Sequence, residues 1–272
     1  MCSITGCGRK RGEWYEEYPV VCHALGMTEE GDSLTNSREA LEYNYILGQR
    51  VFETDIAITS DNVAVLRHDW VSDLGQGQRF GWTDETKKVP TAKEFLQAPI
   101  YGKYTPLTLL ELYEEMAEKE DMYVVLDPKY TPDVEKQFTL IVNTALENGY
   151  ESVLDRIVVQ LYYEQMYEEV EAVYPFKNYL YTLYYIGYPG EQAIAFCAEH
   201  GIPVLTMPYT WYEDIHEQVQ QDLGEHSVRI YVHTVDDQED AENMASLKAD
   251  GIYSDCFLPK EMGQWMEKAK DF

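Results

Sequence analysis

The chain of 272 residues carries 49 Asp and Glu against 21 Lys and Arg, a formal net charge of −28, and a field of that sign repels phosphate backbones and anionic lipid surfaces. Nucleic acid is therefore not an expected partner. Hydrophobic residues make up 45% and tyrosines number 23, which excludes a disordered acidic tract and provides for a buried core.

The five cysteines, Cys2, Cys7, Cys22, Cys197 and Cys256, are scattered and form no CxxC pair, so neither a zinc cage nor a disulfide framework is expected. The N-terminal MCSITGCGRKRGEWYEE is basic in part but leads into no apolar run, and nowhere does an uncharged apolar stretch approach the ~18 residues that span a bilayer. The expectation is a cytoplasmic protein without stable membrane insertion, or a secreted one if a signal peptide has been removed.

Strands are expected at Val20–Ala24, Val51–Ile58, Met122–Asp127, Arg156–Tyr162, Asn178–Tyr185, Ile202–Met207, Val228–Val235 and Gly251–Ser254. Helical spacing falls between them near 36–48, 107–120, 132–149, 164–174, 190–200, 211–223 and 238–249, with a last helix near 259–270. Eight strands, each followed by a helix, predict an α/β protein with a (β/α)8 TIM barrel as a single domain over 1–272. After the second strand, Asp61-Asn62 turns the chain and 62–68 runs back as a β-hairpin. Residues 70–105 then form an insertion too long for an ordinary connection. Its Trp70, Phe80, Trp82, Tyr101 and Tyr104 suggest a lid over the site.

Chemistry-bearing residues collect where strands end. Glu53 and Asp55 lie two apart on the second strand and share a face, as an inward metal-binding pair or as a solvated pair at an edge. Asp127 ends the third strand in VVLDPK, either as a third carboxylate or as a helix N-cap before Pro128, and Lys129 brings a cation to the same side. His23 and His68 end the first strand and the hairpin return. Imidazoles so placed can give and take protons in one cycle, or serve structurally. Tyr162, Tyr163, Tyr181, Tyr184, Tyr185, Tyr209, Trp211 and Tyr212 cluster at or just after strands four to six, with His233 on the seventh. Their rings suit a polyol or sugar, or pack between barrel and helices. Tyr162, Tyr181, Trp211 and His233 are the pocket candidates.

In these residues the sequence resembles the glycerophosphodiester phosphodiesterase family. The matching strings are His23, the helix start Asn36-Ser37-Arg38-Glu39-Ala40, Glu53-Thr54-Asp55, and His68-Asp69 twelve residues beyond, followed by YTPLTLLELYEEM, VVLDPK, YVHTVDD and GIYSD. The resemblance covers roughly residues 20–258. It implies a barrel, one divalent cation, Mg²⁺ or Ca²⁺, on Glu53, Asp55 and Asp127, His23 and His68 as acid and base, and Lys129 on phosphate. A small-molecule phosphodiester is the expected partner, cleaved to an alcohol and glycerol phosphate.

Three positions depart from the family pattern. Ala24 stands where an Arg usually follows the first His, Asp127 where many members have Glu, and His233 where Trp is usual. Arg67 is not a substitute for the missing Arg, because it precedes His68 on an extended segment and should point the other way. The alternatives are a lysophospholipase D or sphingomyelinase D-like enzyme forming a cyclic phosphate, a catalytically weak phosphodiester-binding protein, and a metal-dependent sugar isomerase on the same scaffold. The last would not require the His68-Asp69 hairpin.

Overall fold

The computed structural model describes residues 14–70, 78, 80, 88–129 and 133–270. In chain order they form α1 (Trp14–Glu17), β1 (Val20–Cys22), α2 (Arg38–Leu47), β2 (Val51–Ile58), β3 (Ala64–Leu66), α3 (Ala92–Leu96), α4 (Leu109–Glu118), β4 (Tyr123–Asp127), α5 (Val134–Glu147), β5 (Ile157–Leu161), α6 (Gln165–Glu171), β6 (Asn178–Thr182), α7 (Glu191–His200), β7 (Val204–Pro208), α8 (Tyr209–Leu223), β8 (Arg229–His233), α9 (Gln238–Ser246), β9 (Gly251–Ser254) and α10 (Pro259–Ala269). Eight parallel strands close through the pairing of β1 with both β2 and β9, and β3 forms an antiparallel hairpin with the C-terminal end of β2, Ile56–Ile58. The protein is a (β/α)8 barrel, as expected from the eight apolar runs.

The period of two along each strand divides the core. Val51, Val125, Val158, Leu180, Val204 and Tyr231 meet inside the barrel, while Phe52, Val124, Leu126, Val159 and Leu205 face the helices. Helix starts follow local capping. Ser37 accepts from the amide of Ala40, and Thr108 and Glu111 form a reciprocal capping box at α4.

Sequence reasoning gave no role to Trp14. It is 1% exposed and joins the interior cluster from below, at the N-terminal ends of the strands, with its ring 6.1 Å from that of Tyr231. The Tyr231 hydroxyl donates to the carbonyls of Tyr15 and Tyr18, tying the short helix to the barrel floor. A side chain at Gly251 would bring Cβ to 2.5 Å from the Tyr231 ring, so only glycine fits there. Trp14→Ala is expected to cost ~3–5 kcal/mol, the scale of a large-to-small change in a packed core. Urea unfolding checks this, and a loss under ~1 kcal/mol would mean the floor is closed by other residues.

No described residue of the insertion lines the cavity at the barrel mouth, and the lid expectation for 71–77, 79 and 81–87 lies outside the described residues. Trp70, Phe80 and Phe95 pack on one another and on the hairpin, and the Trp70 indole N–H donates to the carbonyl of Ile58. Arg67 is buried in the same cluster, where it donates to Gln78 and to the carbonyl of Asp69. It therefore points away from the site, as the alternation of the strand requires. The Tyr104 hydroxyl bonds to Asp32 and Thr28, so this end of the insertion straps the loop between β1 and α2. Trp82 lies outside the described residues.

Candidate active site

A cavity of about 350 Å³ opens at the C-terminal ends of the strands, where barrels of this class collect loop and strand-end residues. Glu53 and Asp55 both turn into it because Phe52 and Ile56 are taken up by the layer between barrel and helices. Asp127 stands level with Asp55 across the β2–β4 ladder. Oxygen atoms of all three acids lie within 4.8 Å of one another, and the residues are only 2–5% exposed.

Each carboxylate is aimed by hydrogen bonds from neighbouring segments. Glu53 Oε2 accepts the amide of Ala24 at 2.8 Å, and Asp55 Oδ2 accepts Asn36 Nδ2 at 2.9 Å. Asp127 Oδ1 accepts the amide of Lys129 at 2.8 Å and the hydroxyl of Tyr162 at 2.6 Å. It does not cap a helix, since Asp133 is the N-cap of α5. The Lys129 ammonium reaches Asp55 and, at 2.7 Å, Asp127.

Three buried carboxylates against one ammonium leave an excess of negative charge that is costly away from water. An all-oxygen donor set at this spacing, with a lysine cation already drawn between two of its members, fits a hard divalent cation. The titration of the acids reflects the same crowding. Burial and the neighbouring Asp55 charge push Glu53 up. Burial also disfavours the Asp55 charge, but Lys129 and His68 more than offset it and hold Asp55 below its ordinary value. The surrounding carboxylates overcome burial at Lys129 and keep it protonated.

Both histidines are oriented through Nδ1. His23 bonds Asp255 at 2.7 Å, and its Nε2 lies 4.0 Å from Glu53. His68 bonds Asp69 at 2.5 Å. Each imidazole thus has Nε2 left for the cavity. At His23 burial opposes the charged form, but the hydrogen bond to Asp255 and the charges of Glu53 and Asp255 prevail and raise it to about 9.

Solved structures with the same architecture include a glycerophosphodiester phosphodiesterase from Parabacteroides distasonis ATCC 8503, 20% identical, covering 93% of this chain and 99% of that one at a TM-score of 0.68. A phosphodiesterase from Oleispira antarctica, in complex with the product sn-glycerol-3-phosphate, is 17% identical over 93% and 98% at a TM-score of 0.69. A glycerophosphodiester phosphodiesterase from Thermotoga maritima is 18% identical over 92% and 98% at 0.63. The chain has the fold of the glycerophosphodiester phosphodiesterases. No family profile and no curated protein matches its sequence.

Within this glycerophosphodiester phosphodiesterase fold, the structure brings together His23, His68, Glu53, Asp55, Asp127, Lys129, Tyr162 and His233 in one cavity lining. It does not bring Tyr181 or Trp211 there. Tyr181 follows the inward Leu180 and so faces outward, packing at 5.4 Å on Phe196 of α7. Trp211 is in the first turn of α8 and 37% exposed on its surface. Clustering near strand ends was a signal of position along the strand, not of face. Tyr184 and Tyr185, from the loop after β6, line the cavity instead.

Sequence reasoning assigned no role to Asn36 or Asp255, although both sit inside the matched strings. Asn36 is fully buried, with a positive φ of 49°, and besides its bond to Asp55 it accepts from the Thr54 hydroxyl at 2.7 Å. Its amide donates to the carbonyl of Ala24, which joins the turn after His23 to the Asp55 side of the site. Ala24 itself has no exposed surface, so its contribution is the backbone amide on Glu53. Asn36→Ala is expected to cost about 2 kcal/mol or more, the scale of a lost bond to a buried charge. Urea unfolding measures the cost, and an unchanged midpoint would show that Asp55 is held without it.

Proposed function

We propose that this single-domain protein is a metal-dependent glycerophosphodiester phosphodiesterase that hydrolyses its substrate to an alcohol and glycerol phosphate, with His23 and His68 as the acid–base pair. The observation that carries this reading is the meeting, in one cavity, of three buried carboxylates and two histidines that are each oriented by an aspartate. The Oleispira structure, with sn-glycerol-3-phosphate bound on the same fold, supports it.

Glu53, Asp55 and Asp127 would hold one Mg²⁺ or Ca²⁺, which when bound offsets the charge that builds on the non-bridging phosphate oxygens. Lys129 places a point charge beside the same oxygens and does the anchoring that an Arg at position 24 would otherwise share. One imidazole Nε2 takes the proton of the attacking water or neighbouring glycerol hydroxyl, and the other protonates the departing alkoxide. Asp255 and Asp69 fix the rings, so that neither must reorient between the two transfers. The acidic surface does not oppose this chemistry, because Lys129 and a bound divalent cation together offset the three carboxylates, and the His23 imidazolium leaves the pocket locally positive.

No helix among the described residues is long and apolar enough to cross a membrane. The free thiols of Cys22, Cys197 and Cys256 favour a reducing, cytoplasmic setting.

Phosphorus NMR of the purified protein with glycerophosphodiesters and Mg²⁺ or Ca²⁺ tests the reading. Glycerol phosphate is the expected product. A cyclic phosphate as the first product would assign the nucleophile to the glycerol hydroxyl, as in the lysophospholipase D or sphingomyelinase D alternative. No turnover with any diester and any divalent ion would overturn it.

A further inference from the structure

The cavity lining divides by charge around the barrel. Among the described residues, the side chains from β1 through β4 and their loops supply the acids, Lys129 and the two histidines of the proposed chemistry, together with the aliphatic Leu34. The eight described lining residues from β5 through β9 and their loops include no Asp, Glu, Lys or Arg and no aliphatic residue, yet every one bears a hydrogen-bonding group. Their rings are contiguous, with centroids 5.1 Å apart from Tyr162 to Tyr185 and from Tyr185 to Tyr184, then 6.1 Å to His233. Tyr184 and Tyr185 are 55% and 56% exposed, which carries this wall outward to the mouth.

We infer that this uncharged wall is a subsite for a second polyol, so that the preferred substrate is a phosphodiester joining glycerol to another hydroxyl-rich, uncharged alcohol. The inference rests on the phosphodiesterase reading of the same cavity and names its substrate class. An acyl chain would need aliphatic surface, which the described lining of this half does not offer. A quaternary ammonium group would sit against ring faces, but it would leave Thr182, Thr234 and the His233 ring without hydrogen bonds on desolvation. Glycerol alone has two free hydroxyls once esterified, fewer than the groups on offer.

His233 is suited to this work because its Nδ1 is engaged by the Thr206 hydroxyl at 2.9 Å, which fixes the ring and leaves Nε2 as its remaining polar atom. Burial and the nearby charge of His23 push it down to about 3, so the ring meets its ligand uncharged.

The test compares glycerophosphoinositol, glycerophosphocholine and lysophosphatidylcholine by phosphorus NMR, with binding of each measured by calorimetry. The inositol diester is expected to show a kcat/KM ~10-fold or more above the others, and His233→Phe and Thr182→Val are each expected to bring that ratio toward one, mainly through KM. Equal specificity constants, a preference for choline or the acyl chain, or a ratio untouched in both folded variants would overturn the subsite. If no diester is cleaved, the phosphodiesterase reading fails separately. Calorimetry then still decides the subsite, with tighter binding of the inositol diester supporting it and equal or absent binding overturning it.

Discussion

Replacing His23 or His68 by alanine is expected to lower kcat for a glycerophosphodiester by ~10²-fold or more, the scale of a lost general acid or base. Each ring lines the cavity and holds one aspartate, so the fold should survive and circular dichroism should stay that of the wild type. Asp255→Asn should keep a hydrogen-bonding neighbour for His23 but remove one of the charges that raise it, so its kcat should fall by less than that of His23→Ala. His233→Ala is expected to cost less than either and to alter substrate choice. A folded His233→Ala enzyme as impaired as His23→Ala would show that the acid–base pair has been misassigned.

Removal of divalent cations is expected to abolish turnover while leaving the barrel folded. Glu53, Asp55 and Asp127 repel one another at close range, and Lys129 neutralises only part of their charge. A bound cation should therefore stabilise the native state by mass action, by ~2.7 kcal/mol at a hundredfold excess over Kd. The thermal midpoint of the wild type should rise with Mg²⁺ or Ca²⁺, and that of Asp127→Asn should rise much less. Turnover that persists after exhaustive chelation, with metal analysis of the assayed sample, would refute the requirement.

The architecture was legible because each strand carries its own signal. The short β-branched runs at 51–58 and 122–127 and the amphipathic stretches between them meet the same requirement, a sheet buried on both faces and ringed by helices. The acids were legible because a period of two puts Glu53 and Asp55 on one face, and a charge on a buried strand must have a reason to be there.

The sequence by itself determined the order of the elements, the barrel and the strand ends that bear Glu53, Asp55, Asp127, His23 and His68, since these follow from local periodicity. Only the tertiary structure decided what those residues meet. Asp255 reaches His23 across 232 positions because closing the barrel sets β9 beside β1, and Asn36 reaches Asp55 because the loop after β1 folds over β2. The same holds for Tyr181, turned outward by one residue of alternation, for Trp14 under the floor, and for Trp70 and Phe80, which brace the hairpin. Contacts of this kind depend on how separate elements pack, and pairing across a closed sheet leaves no periodic trace along the chain.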